Sequence, residues 1–358
     1  MTQPFFEGTL MEHTKRMRDV RTLTLDDIKD VLADLNQPAF RAKQIYEWIF
    51  SKNVCSFDEM TNVPKALRDE LSRHFSFGVP TEVVKQVSRD GSRKYLLEFP
   101  DGTSVETVGM PSRNKLSVCV STQAGCAMGC VFCATGFNGL ARSLTAQEIV
   151  DQVHHVARDF GERVTSVVFM GQGEPVANFE NTVTALRMLN DPEGVNIGAR
   201  HLTVSTCGVI PSIKRFAELP GQFTLAISLH SAVQSTRNKL MPGVKKYTLP
   251  RLHEALQAYV EKTGRRPSYE FAMIDGINDT TPEMDALIDF CAGTLCHVNL
   301  IQLNDTPGSL LKPSPIHKIE MLQRRLTMHG VETTIRNSRG NDIDAACGQL
   351  KQKKVHLS

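Results

Sequence analysis

From residue 116 onwards, short apolar strands alternate with amphipathic helices, and this alternation constrains the fold more than any other feature. The candidate strands are 116–121, 164–170, 201–206, 223–230, 268–273, 297–303 and 331–336. The clearest helix begins after Thr145, where Glu148 three residues later completes a capping-box sequence. Repeated β–α units of this length predict an α/β fold whose parallel sheet curls into a full or partial barrel. In such barrels the functional residues lie at the carboxyl ends of the strands.

Two smaller units precede the barrel. Between residues 25 and 77 the apolar residues recur at spacings of three and four, which predicts helices. Three alternating segments follow, separated by Asp-Gly pairs at 90–91 and 101–102, and this pattern predicts an antiparallel β-meander. The predicted organisation is a helical N-terminal domain over 1–80, a β-meander extension over 81–112, the barrel over 113–340 and a C-terminal segment over 341–358.

The composition is that of a globular protein, with 41% hydrophobic and 22% charged residues. Lys and Arg number 41 and Asp and Glu 39, so the net charge of +2 neither requires nor excludes a nucleic-acid partner. No apolar run reaches the length of a membrane span. Nine cysteines with no secretory apolar region at the start favour a reducing compartment, so we expect a cytoplasmic protein without a membrane partner.

Three cysteines, Cys126, Cys130 and Cys133, follow the first barrel strand in a loop of small residues. Thiolates at this C-x3-C-x2-C spacing can hold three irons of a [4Fe–4S] cluster. The fourth iron is then open to chelate S-adenosylmethionine (SAM), and the spacing resembles the signature of the radical SAM superfamily. A structural zinc site with Cys119 as the fourth ligand is the alternative, but zinc sites more often have two C-x2-C pairs and this chain has no second pair.

Small hydrogen-bonding side chains follow several other strands. The segments are Gly171-Gln172-Gly173-Glu174-Pro175, Ser205-Thr206-Cys207-Gly208, Ser228-Leu229-His230 and Asn304-Asp305. Each alone is an ordinary turn, but together they could contact a nucleoside, and the carboxylate of Glu174 could bind an ammonium group.

Two further cysteines lie outside the loop, Cys119 in the first strand and Cys347 among small residues near the C-terminus. For other lone cysteines a buried apolar role is the simpler interpretation, and it suits Cys55, Cys291 and Cys296. Cys207 fits either a buried apolar role or a functional one.

These residues together resemble the RlmN and Cfr family of radical SAM methyltransferases, which act on an adenine of 23S rRNA. The resemblance covers nearly the whole chain. Its most specific parts are residues 105–108 (VETV), Cys119 with the loop from Cys126 to Gly136, Gly173-Glu174-Pro175, Ser228-Leu229-His230 and residues 342–350. The fold implied is a partial (β/α) barrel of the radical SAM type with a small helical N-terminal domain and a β-meander extension.

The resemblance also implies a role for each site residue. The cluster ligands would be Cys126, Cys130 and Cys133, and SAM would be bound by Gly173, Glu174, Ser205, Ser228, Leu229, His230 and Asn304. The catalytic residues would be Cys347 as the methyl carrier, Cys119 as the thiol that later forms a disulfide with it, and Glu106 as the proton acceptor. The methyl group would reach RNA through a methyl-cysteine intermediate.

The implied partners are 23S rRNA, with tRNA as an open second substrate, and an electron donor such as flavodoxin or ferredoxin. Nothing in the sequence requires more than a monomer. The N-terminal unit would help to hold the RNA through basic residues that otherwise form an ordinary solvated face. These residues are Lys15, Arg16, Arg18, Arg21, Arg41 and Lys43.

The sequence departs from the family pattern at two places. The family usually has Met where this chain has Gln172. The sequence ends eleven residues after Cys347, as in the C8-methylating branch, whereas that branch tends to have Ala at the position of Pro175. We expect methylation of C2, the commoner housekeeping activity, and keep C8 methylation as the alternative. A radical SAM enzyme with a non-RNA substrate would leave the Cys119 and Cys347 pair unexplained, and a non-catalytic zinc-binding RNA protein would contain no iron.

Overall fold

The computed structural model describes residues 17–52, 54–304 and 309–350. Several sequence predictions therefore lie outside the described residues: the basic residues Lys15 and Arg16, the strand-end residue Asp305, and the end of the C-terminal segment over 351–358.

The N-terminal unit is a small helical bundle with its own apolar core. The short strand β1 (Arg18–Asp19) precedes helices α1 (Leu25–Asp34), α2 (Phe40–Phe50) and α3 (Lys65–His74), and it pairs in parallel with β2 (Phe75–Ser76). Thr24 and Asp27 form a capping box at the start of α1. The apolar faces of the helices pack on one another in a cluster separate from the main core. The predicted helical unit therefore has a core of its own.

The meander consists of β3 (Thr81–Val87), β4 (Arg93–Glu98) and β5 (Ser104–Ser112), paired antiparallel. Gly91 and Gly102 have φ angles of 83° and 80° at the two turns, a conformation that glycine adopts without strain. Strand β5 then pairs antiparallel with β6 (Lys115–Cys119). The meander is thus a continuation of the barrel sheet rather than a separate layer.

The barrel strands follow β6 in chain order. The two short strands β7 (Gln123–Gly125) and β8 (Leu140–Ser143) flank the cysteine loop. The remaining strands are β9 (Ser166–Phe169), β10 (Leu202–Thr206), β11 (Thr224–Ser228), β12 (Ser268–Met273), β13 (His297–Gln302) and β14 (Glu332–Arg336), and with β6 they form parallel ladders. Since β3 and β14 are the two edges of the ten-stranded sheet, the barrel is partial. The predicted fold class is confirmed.

In the described part of the chain, seven helices follow the strands of the barrel. They are α4 (Ala146–Phe160), α5 (Phe179–Asn190), α6 (Ile210–Ala217), α7 (Gln234–Leu240), α8 (Leu249–Thr263), α9 (Thr281–Cys291) and α10 (Ile316–Met328). The predicted capping box of Thr145 and Glu148 begins α4. The main core lies between the helices and the sheet and includes Cys291 and Cys296 as predicted, whereas Cys55 is only half-buried. None of the described helices is long and apolar enough to cross a membrane.

A buried ion pair joins the N-terminal unit to the barrel. Arg21 contacts Asp151 of α4, and both side chains are almost fully buried. Asp19 accepts two further hydrogen bonds from the Arg21 side chain. At the surface, Lys43 pairs with Glu193 at 2.7 Å. The predicted basic cluster is therefore partly structural, because Arg21 holds two parts of the protein together and is not available to RNA.

We expect Arg21→Met to lower the free energy of unfolding by about 3–5 kcal/mol, because it leaves a buried carboxylate at Asp151 without its cation. Equilibrium urea unfolding measures the change. Lys29→Met is the control, since Lys29 pairs with Asp26 on an exposed helix surface, and it should change the stability by less than about 0.5 kcal/mol. Equal effects of the two substitutions would contradict this role of Arg21.

Candidate active site

An open cavity of about 950 Å³ lies at the carboxyl ends of the parallel strands. Most of the predicted site residues line it: Cys126, Cys130, Cys133, Gly173, Glu174, Ser205, Ser228, His230, Asn304 and Cys347. The strands deliver these side chains to one place because parallel strands all end at the same edge of the sheet.

The cysteine loop is held by backbone hydrogen bonds on two sides. Cys126 N–H donates to the Gly139 carbonyl oxygen at 2.9 Å, next to β8. Val131 N–H donates to the Leu240 carbonyl oxygen at 3.0 Å, at the end of α7. Gly129 takes a positive φ of 61° within the loop. The three sulfurs are half-buried and line the wall of the cavity.

The donor set fits a [4Fe–4S] cluster. Within the described ranges, no three His, Cys, Asp or Glu side chains converge as the ligands of one metal ion would. A cube binds each thiolate to a different iron, so its ligands need not converge on one atom. Cys119, the fourth ligand of the zinc alternative, lines another cavity. Burial raises the pKa of Cys126 to about 11 and that of Cys130 further, so both thiols need positive charge to ionise.

Glu174 presents a fixed carboxylate to the cavity. Its Oε2 accepts a hydrogen bond from Cys207 N–H at 2.9 Å, and its Oε1 accepts one from Val176 N–H at 3.3 Å. Burial raises the pKa of this carboxyl, while the hydrogen bonds oppose the shift. Gly173 has a φ of 99°, and a Cβ there would lie 2.5 Å from the Gln123 side chain. This tight turn therefore requires glycine and fixes the carboxylate where it can bind an ammonium group.

Gln172 points away from the cavity. Its buried side-chain oxygen accepts a hydrogen bond from Glu106 N–H at 3.3 Å. Gly171 and Gly173 line the cavity on either side of it. The departure from the family pattern at this position therefore leaves the cavity wall unchanged.

His230 supplies a neutral ring to the cavity. Its Nδ1 accepts a hydrogen bond from Ala272 N–H at 3.0 Å, and burial lowers its pKa to about 3. The ring is therefore neutral at physiological pH, with its proton on Nε2 as a donor. The Oγ atoms of Ser205 and Ser228 lie 3.4 Å apart on neighbouring strands. Leu229 differs from the other predicted SAM residues, because its side chain is buried in the barrel core and does not reach the cavity.

The C-terminal segment brings Cys347 to the rim of the cavity. Ala134 N–H donates to the Gly348 carbonyl oxygen at 2.8 Å, and the Thr135 hydroxyl donates to the Leu350 carbonyl oxygen at 2.8 Å. The Asn304 amide donates to the Cys347 carbonyl oxygen at 3.1 Å. Cys347 itself is exposed. Residues from the cysteine loop and from the end of β13 thus hold the backbone around this thiol.

Cys119 and Cys347 share a second cavity of about 1130 Å³. Burial and, to a smaller extent, the neighbouring Cys347 raise the pKa of Cys119 to about 12. Burial by the surrounding protein also raises the pKa of Cys347, although the residue as a whole is exposed. Arg336 lines the same cavity and opposes both shifts through its positive charge. In the described structure all nine cysteines are free thiols.

Sequence reasoning missed Arg336 and Glu270. Arg336 Nη1 lies 3.8 Å from Glu270 Oε2. Glu270 is buried, lines the strand-end cavity and accepts hydrogen bonds from Ser268 and Asn299 at 2.8 Å each. The sequence signal that could have found Glu270 is a charged residue inside the otherwise apolar strand β12. An ionised group is rarely buried without a specific role.

Glu106 is the predicted residue that the structure separates most clearly from the cavities. It is buried in β5, with Oε1 3.4 Å from Lys94 Nζ, and it lines neither cavity. Lys94 also donates to the Asp344 carbonyl oxygen at 3.1 Å. Strand β5 runs beside β6, where Val108 lies opposite Cys119. Glu106 is therefore one strand away from the thiols and is paired with a cation.

Comparison with known proteins agrees with this geometry. Residues 120–291 match a family described as "Radical SAM superfamily", and residues 19–76 match "Ribosomal RNA large subunit methyltransferase N-terminal domain". A crystal structure of a radical SAM methyltransferase from Sphaerobacter thermophilus is 41% identical, with a TM-score of 0.89 over 94% of this chain and 100% of that one. The fold and the three-cysteine loop together define a radical SAM enzyme.

Two curated relatives are more specific, and both are named "Probable dual-specificity RNA methyltransferase RlmN". The protein from Geobacillus kaustophilus is 45% identical over 357 residues, which is 99% of this chain and 98% of the relative. The protein from Bacillus subtilis is 44% identical over 96% of this chain and 98% of the relative. This chain belongs to the RlmN family of radical SAM RNA methyltransferases.

We expect Cys130→Ala to abolish cluster assembly, because it removes one of three thiolates. Anaerobic reconstitution followed by iron and sulfide analysis measures the loss, and the wild-type protein should bind about four of each per chain. Cys55→Ala is the control and should bind the same amount as the wild type, since Cys55 lies in the N-terminal unit. Zinc without sulfide in the wild-type protein would contradict the cluster assignment.

Proposed function

We propose that this enzyme methylates C2 of an adenine in 23S rRNA, with tRNA as a second substrate, through a methyl group carried on Cys347. The observation that carries the proposal is the position of Cys347, which lines both the strand-end cavity and the cavity of Cys119. The Cys347 thiol can therefore contact SAM in the strand-end cavity and the Cys119 thiol in the other cavity. The names of the relatives, which describe dual-specificity RNA methyltransferases, support the two RNA substrates.

The target explains why a carrier is needed. C2 of adenine is an electron-poor ring carbon and cannot attack the methyl group of SAM as a nucleophile. A cysteine thiolate can do so. The methyl group therefore passes first to sulfur and is then added to the ring as a radical.

The chain's residues would bind two cofactors for this purpose. Cys126, Cys130 and Cys133 would hold a [4Fe–4S] cluster, and the cavity wall, including Glu174 and His230, would bind SAM. When bound, the reduced cluster supplies the electron that cleaves SAM to methionine and a 5′-deoxyadenosyl radical. A one-electron donor of the flavodoxin or ferredoxin type would provide that electron. Because the cysteine loop, both cavities and both thiols belong to one chain, the proposed reaction needs only a monomer.

Cys347 acts as nucleophile in the first half of the proposed reaction. Its thiolate takes the methyl group of one SAM, forming a sulfur–carbon bond and leaving S-adenosylhomocysteine. The positive charge of Arg336 favours the thiolate that this step requires. After loss of a hydrogen atom to the radical from a second SAM, the methylene group on Cys347 adds to C2, so that RNA and protein are covalently joined.

Cys119 resolves the covalent adduct in the second half. The adduct loses the ring proton, for which Glu106 is the proposed acceptor, and one electron, which the oxidised cluster would take up. The Cys119 thiolate then attacks the Cys347 sulfur. A disulfide forms, the sulfur–carbon bond breaks, and the carbon keeps the electron pair and takes a proton to become a methyl group. An external thiol reductant restores the two thiols. To act as the acceptor, Glu106 must exchange its contact with Lys94 for one with the base.

The helical N-terminal unit is the proposed RNA-binding accessory domain. Arg21 is buried, so other residues must make the contacts. Helix α2 presents Phe40, which is 60% exposed, with the Arg41 guanidinium 5.2 Å from its ring centre. At the other end of the helix, Lys52 lies 3.9 Å from the ring centre of Trp48. Aromatic rings beside cations are side chains on which RNA bases stack, and Phe40 is the exposed ring of the two.

Two single substitutions should separate the halves of the reaction. Cys347→Ala should abolish methylation and leave no protein-bound RNA, because the methyl carrier is missing. Cys119→Ala should still methylate Cys347 and join it to RNA, but should accumulate the adduct because nothing resolves it. Denaturing gel electrophoresis of labelled RNA measures the adduct, with Cys55→Ala as the control. Normal turnover by Cys119→Ala would contradict the mechanism.

Mass spectrometry of nucleosides from cells with and without this gene tests the substrate and the position. We expect 2-methyladenosine in 23S rRNA and in tRNA only when the gene is present. Its absence from tRNA alone would restrict the enzyme to rRNA. Appearance of 8-methyladenosine would instead establish the alternative position, and no change in either nucleoside would contradict the proposed substrates.

A further inference from the structure

Arg237 of α7 is one of the largest fully buried side chains, with 1% of its surface exposed. Its Nη2 donates a hydrogen bond to the Cys207 carbonyl oxygen at 2.6 Å. Its Nε and Nη1 are buried and have no hydrogen-bond partner among the described residues. A buried guanidinium with two unsatisfied nitrogens is costly, so a negative charge is expected nearby.

The protein itself supplies no carboxylate for this cation. Across the described part of the chain, Arg237 forms no ion pair with Asp or Glu. Burial lowers its pKa, and the groups that oppose this effect are the sulfurs of Cys207 and Cys130. Gly208 leaves room for the guanidinium, since a Cβ at Gly208 would lie 3.0 Å from Nη2. The buried cation thus contacts Cys207, and Leu240 of the same helix belongs to an apolar cluster on which Cys130 packs.

The segment that carries Arg237 is attached directly to the cysteine loop. The Leu240 carbonyl oxygen accepts a hydrogen bond from Val131 N–H at 3.0 Å, and Gly243 N–H donates to the Met128 carbonyl oxygen at 3.0 Å. A Cβ at Gly243 would lie 2.6 Å from that oxygen, so only glycine allows the close approach. Arg237 and the loop therefore keep a fixed relative position.

We propose that Arg237 is a positioning residue for the iron–sulfur cluster, whose buried positive charge offsets the negative charge of the cysteine-ligated centre and favours its reduced form. The negative charge of the three thiolates exceeds the positive charge of the cube. The bound centre is therefore an anion, and it gains a further negative charge on reduction. A cation in a medium of low dielectric constant stabilises the more negative state more strongly. This inference rests on the cluster assignment made above.

The test compares Arg237→Met and Arg237→Lys with the wild-type chain after anaerobic reconstitution. Arg265→Met is the matched control, because Arg265 donates hydrogen bonds to the Gly221 and Phe223 carbonyl oxygens, lies over the Tyr259 ring and lines neither cavity. Iron and sulfide content is measured first. A wild-type protein without iron and sulfide would refute the cluster assignment itself, independently of any role of Arg237.

The deciding measurement is the midpoint reduction potential, followed by electron paramagnetic resonance during a redox titration. We expect a more negative potential in Arg237→Met than in the wild type and the control, with partial recovery in Arg237→Lys because lysine restores the charge without the planar geometry. An unchanged potential in Arg237→Met at full iron content would overturn the proposal.

A stability measurement covers the case in which Arg237→Met does not assemble a cluster. For the protein without metal, we expect a Tm no lower than that of the wild type, since the substitution removes an uncompensated buried charge. For the wild type, reconstitution should raise the Tm, and this gain should be smaller in Arg237→Met. A fall in the Tm of the metal-free variant would show that Arg237 stabilises the fold itself and would overturn the proposal.

Discussion

The active site depends on the docking of the C-terminal segment onto the cysteine loop. Two hydrogen bonds make this contact, from Ala134 N–H to the Gly348 oxygen and from the Thr135 hydroxyl to the Leu350 oxygen. Together with the bond from the Asn304 amide to the Cys347 carbonyl oxygen, they hold the backbone around the Cys347 thiol. With them it lies between the strand-end cavity and Cys119, so that methyl transfer and disulfide formation can share one sulfur.

Burial governs the electrostatics of this site. The protein raises the pKa of Cys119 and Cys347 above the ordinary range, although the proposed chemistry needs both as thiolates. The opposing charge comes from single cations, Arg336 in the cavity of the thiol pair and Arg237 at the Cys207 carbonyl oxygen. Because each cation is held by the fold, the charge is available without reorganisation when the sulfur ionises.

Much of the fold could be predicted from the sequence, because local patterns determine it. Each predicted barrel strand is present, and β12 has the predicted bounds of 268–273. The Asp-Gly pairs form the predicted turns of the meander. The assignment of Leu229 to SAM stays a prediction, and its side chain faces the core. A strand alternates its faces, so a contiguous motif at a strand end cannot direct every side chain to one ligand.

The sequence by itself determined the barrel, the cysteine loop and the set of polar strand ends, because spacing along the chain encodes helices, strands and ligands. Only the tertiary structure decided which distant residues meet. Burial of Arg21 against Asp151 and the hydrogen bond from Arg237 to Cys207 each join elements far apart in the chain, and pairing of Glu106 with Lys94 joins two neighbouring strands. No local pattern encodes such contacts, since the packing of whole helices and strands sets the distances between them.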